Sequence, residues 1–116
     1  METNCIFCAI INQQIPATIL YQDENFLAFS DIHPLAPVHI LIIPKTHFAS
    51  LDHVPADQSA MLGELLVCAQ KVARQQNLAE KGYRLMINTG KDGGQTVPHL
   101  HIHLLGGKPN LPIQVG

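Results

Sequence analysis

The chain has 116 residues, of which 47% are hydrophobic and 14% charged, and its formal charge is −2 with the histidines neutral. This length predicts a single domain over residues 1–116, and the composition excludes an intrinsically disordered chain. The small negative charge argues against nucleic acid as a partner. No run reaches the roughly eighteen consecutive apolar residues that a membrane span needs.

The N-terminus lacks a basic region followed by an apolar run, so we expect a cytoplasmic protein with no membrane partner. The cysteines Cys5, Cys8 and Cys68 are an odd number, which makes a disulfide framework a poor explanation. We therefore expect reduced thiols or metal ligands.

The first half of the chain predicts a short helix and three strands. Residues 5–12 form a short helix or turn, and the β-prone runs 18–21 and 26–29, separated by four polar residues, form a hairpin. Residues 33–37 contain two prolines and form a loop. Residues 38–43 are almost continuously apolar, as in a central strand that is covered on both faces.

The second half predicts one long helix and two more strands. Apolar residues recur at intervals of three and four over residues 58–76, which is the spacing of one helix face. Residues 83–88 and 99–105 are predicted strands around a glycine-rich turn, Gly106 and Gly107 end the second, and residues 108–116 form an extended tail. The order predicts an α+β fold, in which an antiparallel meander of about five strands carries the helices on one side.

Three histidines alternate with aliphatic residues in the last predicted strand. A period of two places His99, His101 and His103 on one face, exposed or lining a cleft, while the residues between them face the core. The same pattern fits an ordinary half-buried strand, or a zinc ion held by all three imidazoles.

Residues 90–96, just before this strand, include three glycines. Such a loop can approach an anion closely and present several amide groups to it, although an ordinary glycine turn has the same composition. Loop and histidines together favour catalysis, because a phosphate held beside a neutral imidazole is what nucleophilic attack on phosphorus requires.

Three segments carry a family resemblance. GGQTVPHLHIHLLGG at residues 93–107 resembles the signature of the histidine triad (HIT) family. FLAFSDIHP at 26–34 and HILIIPKTH at 39–47 resemble its HINT branch of nucleoside phosphoramidases, in the same order. Ser30 and Thr96 depart from the family pattern, where histidine and serine are common, which leaves the base and leaving-group preference open.

The resemblance implies that His101 is the nucleophile and forms a nucleotidyl-histidine intermediate. His103 would contact the phosphoryl oxygens, His99 would complete the catalytic triad, and His39 would support its hydrogen bonds. Imidazole titrates near 6.5 when unperturbed, so neutral histidine is abundant at pH 7.

The resemblance also implies a nucleotide site, with Asp31 accepting the ribose hydroxyls. A lone aspartate before such a loop is otherwise more often a turn residue. The implied nucleotide-binding residues are Asp31, Ile32, Asn88, Gly94, Gln95, Thr96, His101 and His103.

Cys5 and Cys8 form a CxxC pair outside the sequence context of a thioredoxin-like redox site. The pair resembles the zinc half-site of some histidine triad proteins, whose other ligands match His47 and His99. Four such ligands would close a tetrahedral structural site, and no catalytic metal is expected. Burial of Cys8 as a small core residue is the alternative.

The resemblance thus implies a homodimer that hydrolyses purine nucleoside 5′-phosphoramidates to AMP or GMP and an amine. One alternative is hydrolysis of dinucleoside polyphosphates, as in another branch of the family. A nucleotide-binding module that docks a partner is a further alternative.

Overall fold

A computed structural model describes residues 5–116 of the chain. The single-domain prediction also covered residues 1–4, which lie outside the described residues. The helices and strands are α1 (Ile6–Ile11), β1 (Ile19–Gln22), β2 (Phe26–Ser30), β3 (Val38–Pro44), α2 (Ser59–Gln75), β4 (Arg84–Met86) and β5 (Ile102–Gly106). Two short 3₁₀ helices, Leu51–His53 and Ala56–Gln58, precede α2.

The five strands form one antiparallel sheet in the order β1-β2-β3-β5-β4. The α+β class and the antiparallel sheet are confirmed, but the predicted meander is wrong, because β5 lies between β3 and β4. The continuously apolar β3 is central and covered on both faces, as its sequence predicts.

The two helices cover opposite faces of the sheet, so the expectation of helices on one side is also wrong. On one face, α2 contributes Leu65, Ala69 and Val72 to a core that contains Ile42 and Ile102. The other face carries a smaller core in which α1 supplies Phe7 and Cys8, packed on strand residues such as Leu27 and Leu41. The apolar residues of α1 are therefore needed to cover the second face of β3.

Strand β5 begins at Ile102, three residues later than the sequence predicts. Its pairing with β3 ends where Ile42 faces Ile102, and continuing the same register would place Leu100 opposite Pro44. Proline has no amide hydrogen for the ladder. The Leu100 amide instead donates to the carbonyl of Phe48 at 2.7 Å.

Strand β4 is likewise shorter than the predicted run 83–88, and Gly106 belongs to β5 rather than ending it. The tail after Gly107 contains no helix or strand. Within residues 5–116, no helix has the length and apolar character needed to cross a membrane.

Candidate active site

The segment 99–103 places its three histidines on the α1 face of the sheet. His99, His101 and His103 are 0%, 2% and 2% exposed, so this face is buried rather than open. The ring of Phe7 lies edge-on to His99 and His101, with centroids 5.8 and 5.2 Å away. The intervening Leu100 and Ile102 face the opposite core, so the predicted alternation of faces is present.

His101 has its Nδ1 atom 2.7 Å from the carbonyl oxygen of His99. A carbonyl only accepts, so Nδ1 carries the proton and donates, and Nε2 of the neutral ring keeps its lone pair. The rings of His101 and His103 lie with centroids 4.9 Å apart. Both line the same cavity.

His39, on β3, joins this group from the neighbouring strand. Its Nε2 atom lies 3.0 Å from Nδ1 of His103 and 3.5 Å from a carboxylate oxygen of Asp31. The backbone amide of Leu35 donates to Nδ1 of His39 at 3.1 Å. The second carboxylate oxygen of Asp31 accepts from the amide of His33 at 2.8 Å, so Asp31 holds a turn as well as lining the cavity.

Burial keeps these imidazoles neutral. It lowers the pKa of His103 to about 4, with His101 adding to the shift, and it lowers the pKa of His39 and His101 as well. The backbone of Gly116 lies beside the ring of His103 and opposes the shift without reaching hydrogen-bond geometry. Among the described residues, Nε2 of His103 is buried and has no hydrogen-bond partner.

The cavity has a volume of about 280 Å³ and a mixed apolar and polar lining. Its apolar lining includes Ile6, Phe7, Ile10, Ile15, Pro16 and Ala17. Asp31, the exposed Ile32, Thr96, His101 and His103 also line it.

The glycine-rich loop is a hydrogen-bonded turn. Gly94 has φ +83°, which favours glycine, and a Cβ on Gly93 would lie 2.3 Å from the carbonyl oxygen of Thr89. The amides of Gly94 and Gln95 donate to the carbonyls of Lys91 and Gly90 within the turn. Phosphate binding through these two amides stays a prediction.

The side chain of Gln95 stabilises this loop through three hydrogen bonds. Its amide nitrogen donates to the carbonyls of Ala49 and Val97, at 2.7 and 2.9 Å, and its oxygen accepts from the amide of Gly90 at 2.8 Å. A direct nucleotide contact by Gln95 stays a prediction.

The C-terminal residues run back to the cavity. The side chain of Asn88 donates to the carbonyl of Val115, and the Thr96 hydroxyl donates to the carbonyl of Gly116 at 3.2 Å. Asn88 lines a neighbouring pocket with Gly94 rather than the cavity of His101. Both predicted nucleotide contacts thus already have a partner in the tail.

A second cluster lies at the other end of the same segment. One ligand-type atom from each of Cys5, Cys8, His47 and His99 lies within 4.8 Å of every other, which is close enough to hold a metal ion. Nδ1 of His99 is 3.3 Å from the sulfur of Cys5 and 3.1 Å from Nδ1 of His47. His99 therefore belongs to this cluster, while His39 takes its place beside His103.

Sequence reasoning missed two contributors to the site. Phe7 covers the histidines, and the only signal was its place in an apolar segment. The Leu35 amide reaches His39 through the backbone, which no side-chain pattern reveals. His33 lies in an exposed loop, His53 is the exposed last residue of a 3₁₀ helix, and Cys68 is buried on α2.

Comparison with known proteins agrees with this architecture. A family model described as the HIT domain matches residues 12–110. An uncharacterized HIT-like protein of Synechococcus elongatus is 54% identical over 108 residues, covering 93% of this chain and 94% of that protein. The purine nucleoside phosphoramidase of Escherichia coli is 47% identical over 113 residues, covering 97% and 95%.

Solved structures give the same result. A histidine triad protein from Clostridium difficile superposes with a TM-score of 0.92 at 42% identity, covering 99% of each chain. A HIT family hydrolase from Legionella pneumophila superposes with a TM-score of 0.88 at 50% identity, covering 90% of this chain and 94% of that one. The chain belongs to the HIT domain family.

Proposed function

We propose that this protein is a HINT-branch phosphoramidase, which hydrolyses purine nucleoside 5′-phosphoramidates to a nucleoside 5′-monophosphate and an amine. The observation that carries the proposal is the pairing of His101 and His103 in one cavity. The carbonyl of His99 holds the Nδ1 proton of His101, so Nε2 of the neutral ring keeps its lone pair, and His103 has a buried Nε2 atom with no partner among the described residues. The E. coli relative named purine nucleoside phosphoramidase supports the substrate class.

The lining of the cavity offers a suitable group for each part of a nucleotide. The aliphatic residues Ile6, Ile10 and Ile15 suit a purine base, because burial of a flat ring against aliphatic side chains is favourable. Asp31 suits the ribose, since a carboxylate accepts hydrogen bonds from two hydroxyls. His101 and His103 receive the phosphoryl group.

The chemistry proceeds in two displacements at phosphorus. Nε2 of His101 attacks, a phosphorus–nitrogen bond forms to the ring, and the bond to the amine breaks; the amine leaves after taking a proton from water. Water then attacks the same phosphorus, the bond to Nε2 breaks, and the water's proton passes to solvent. His103 contacts a phosphoryl oxygen throughout, and burial of both rings in a neutral state keeps His101 nucleophilic at neutral pH.

The cluster of Cys5, Cys8, His47 and His99 fits a structural zinc ion. Nε2 of His99 lies 2.9 Å from the carbonyl oxygen of Pro44, so this nitrogen donates and Nδ1 offers its lone pair to the sulfurs. A ligand histidine whose second nitrogen donates to a carbonyl is the usual arrangement at zinc. Zinc held by these four residues would tie α1 to the segment that carries His101 and would supply stability rather than reactivity.

The free edge of the sheet suits a homodimer. Among the described residues β4 pairs only with β5, so its outer edge has no partner, and α2 exposes Leu66 and Val67 at 50% and 56%. In the expected homodimer, Leu66→Glu lowers the mass measured by light scattering to that of one chain. Leu51→Glu, which changes an exposed leucine outside α2, is the matched control and keeps the dimer.

Turnover of adenosine 5′-phosphoramidate beside diadenosine triphosphate tests the proposed reaction. We expect a higher kcat/KM for the phosphoramidate. The reverse preference would support a dinucleoside polyphosphate hydrolase, and tight AMP binding with no turnover of either compound would support a docking module.

Fractionation of cells tests the expected cytoplasmic location.

A further inference from the structure

The loop between β2 and β3 makes one hydrogen bond that bears on the proton positions in the site. The backbone amide of Leu35 donates to Nδ1 of His39 at 3.1 Å. An amide hydrogen is always a donor, so Nδ1 of His39 must be an acceptor with a free lone pair. His39 is therefore not the imidazolium, and its single proton is on Nε2.

This assignment determines the next ring. Nε2 of His39 is 3.0 Å from Nδ1 of His103, and two protonated nitrogens would not approach so closely. Nδ1 of His103 must therefore accept, and the proton of His103 is on Nε2. The carboxylate of Asp31, 3.5 Å from Nε2 of His39, favours the same state because it attracts the Nε2 proton.

We propose that the Leu35 amide is a positioning group, which sets the tautomers of His39 and then His103 so that His103 presents an Nε2 hydrogen to the cavity. His101 has the opposite arrangement, because the carbonyl of His99 holds its Nδ1 proton and leaves Nε2 bare. The two adjacent rings thus offer a lone pair for attack and a hydrogen for a phosphoryl oxygen. The tautomer chain follows from contacts alone, and only its use in catalysis rests on the proposed function.

The same series of hydrogen bonds distinguishes the two clusters that could hold a metal ion. Asp31, His39 and His103 bring ligand-type atoms within 4.8 Å of one another, like the cysteine-containing cluster. Metal binding through Nε2 of His39 would need a lone pair there, but the Leu35 amide already uses the lone pair of Nδ1. A neutral ring has only one such lone pair, so this cluster is a hydrogen-bonded relay and does not bind zinc.

Nitrogen-15 NMR of the substrate-free protein tests the proposal directly. We expect Nε2–H tautomers for His39 and His103 and an Nδ1–H tautomer for His101. Couplings across hydrogen bonds should join the Leu35 amide to Nδ1 of His39, and Nε2 of His39 to Nδ1 of His103. Zinc added beyond one equivalent should leave these signals in place. An Nδ1–H tautomer at His39 or His103, or zinc binding at these rings, would overturn the proposal.

A pair of variants tests whether the Leu35 amide is the cause. Leu35→Pro removes the amide hydrogen, while Leu35→Ala keeps it and removes most of a side chain that is 46% exposed. Removing one ordinary hydrogen bond shifts a two-state equilibrium about fivefold to tenfold, so Leu35→Pro should show mixed tautomers at both histidines. Leu35→Ala should retain the wild-type tautomers, and unchanged tautomers in a folded Leu35→Pro protein would contradict the proposal.

The catalytic consequence is measured separately. We expect kcat/KM for adenosine 5′-phosphoramidate to be about fivefold to tenfold lower in Leu35→Pro than in Leu35→Ala. If the wild-type protein turns over no phosphoramidate but shows the stated tautomers, the proposed function fails and the positioning role stands. If Leu35→Pro does not fold, the wild-type couplings decide the question.

Discussion

The described chain brings together two histidine clusters, which differ in their other ligand atoms and in the direction of one hydrogen bond. In the cysteine-containing cluster, His99 donates from Nε2 to the Pro44 carbonyl and turns a bare Nδ1 toward the sulfurs. In the other cluster, His39 accepts from the Leu35 amide and turns a protonated Nε2 toward Asp31 and His103. The hydrogen bond on the nitrogen that faces away from each cluster thus adds to the difference in ligand atoms: it suits the first cluster to a metal ion and the second to a proton relay.

Replacing His101 removes the proposed nucleophile and leaves the cysteine-containing cluster unchanged. We expect His101→Ala to lower kcat by at least about 10³-fold, because no other nitrogen occupies its position, while AMP still binds. His53→Ala is the matched control, since His53 ends an exposed 3₁₀ helix outside both clusters and its side chain is hydrogen-bonded to Ser50. A phosphorus–nitrogen adduct trapped on a different histidine would contradict the assignment.

Replacing one cysteine tests whether the cluster of Cys5, Cys8, His47 and His99 binds zinc. Purified protein should contain about one zinc per chain, and Cys5→Ser should lose most of it. Zinc at a hundredfold excess over its Kd stabilises the native state by about 2.7 kcal/mol, so Tm should fall by about 10 °C or more in Cys5→Ser or with a chelator.

The chemical step should change less than zinc content in whatever Cys5→Ser protein remains folded, because none of the four ligands contacts phosphorus in the proposed mechanism. Elemental analysis and calorimetry measure the two effects. Protein that contains no zinc, and takes up none under reducing conditions, would refute the site.

Asp31 belongs both to the hydrogen-bonded relay with His39 and to the proposed ribose site. Asp31→Asn removes its charge and keeps the size of the side chain. Asp31→Asn should weaken AMP binding by about 1.5 to 3 kcal/mol, because a charged acceptor of two hydroxyls becomes an amide. Calorimetry measures the change. The 2′,3′-dideoxy nucleotide is the control, since it lacks both hydroxyls and should lose far less affinity. Equal losses for the two ligands would remove Asp31 from the ribose site.

Cys68 belongs to neither cluster and serves as a reference cysteine. Burial on α2 raises the pKa of its thiol to about 11, so the thiol stays protonated and unreactive near neutral pH. Native protein should show no alkylation at Cys68 by iodoacetamide at pH 8, measured by mass spectrometry. Cys68→Ala should keep the wild-type zinc content, and a loss of zinc in this variant would disagree with the proposed ligand set.

Most of the architecture could be predicted from local patterns. The helical spacing of α2, the apolar run of β3 and the alternation around His101 each reflect burial on particular faces, which is a property of local sequence. The strand order could not be predicted, because the position of β5 between β3 and β4 depends on pairings far apart in the chain. The register that would put Pro44 opposite Leu100, and so makes β5 begin three residues later than predicted, depends on the same pairing.

By itself, the sequence predicted which side chains would carry the proposed chemistry: five histidines, an aspartate and two cysteines, recognised by spacing and by likeness to the HIT family. The tertiary structure alone decided their grouping. His99 lies with the cysteines rather than with His101. His39, on β3, and Asp31, just after β2, lie beside His103. It also decided the proton positions, because these depend on backbone amides and carbonyls, which every residue type shares and which only the fold brings to a particular ring.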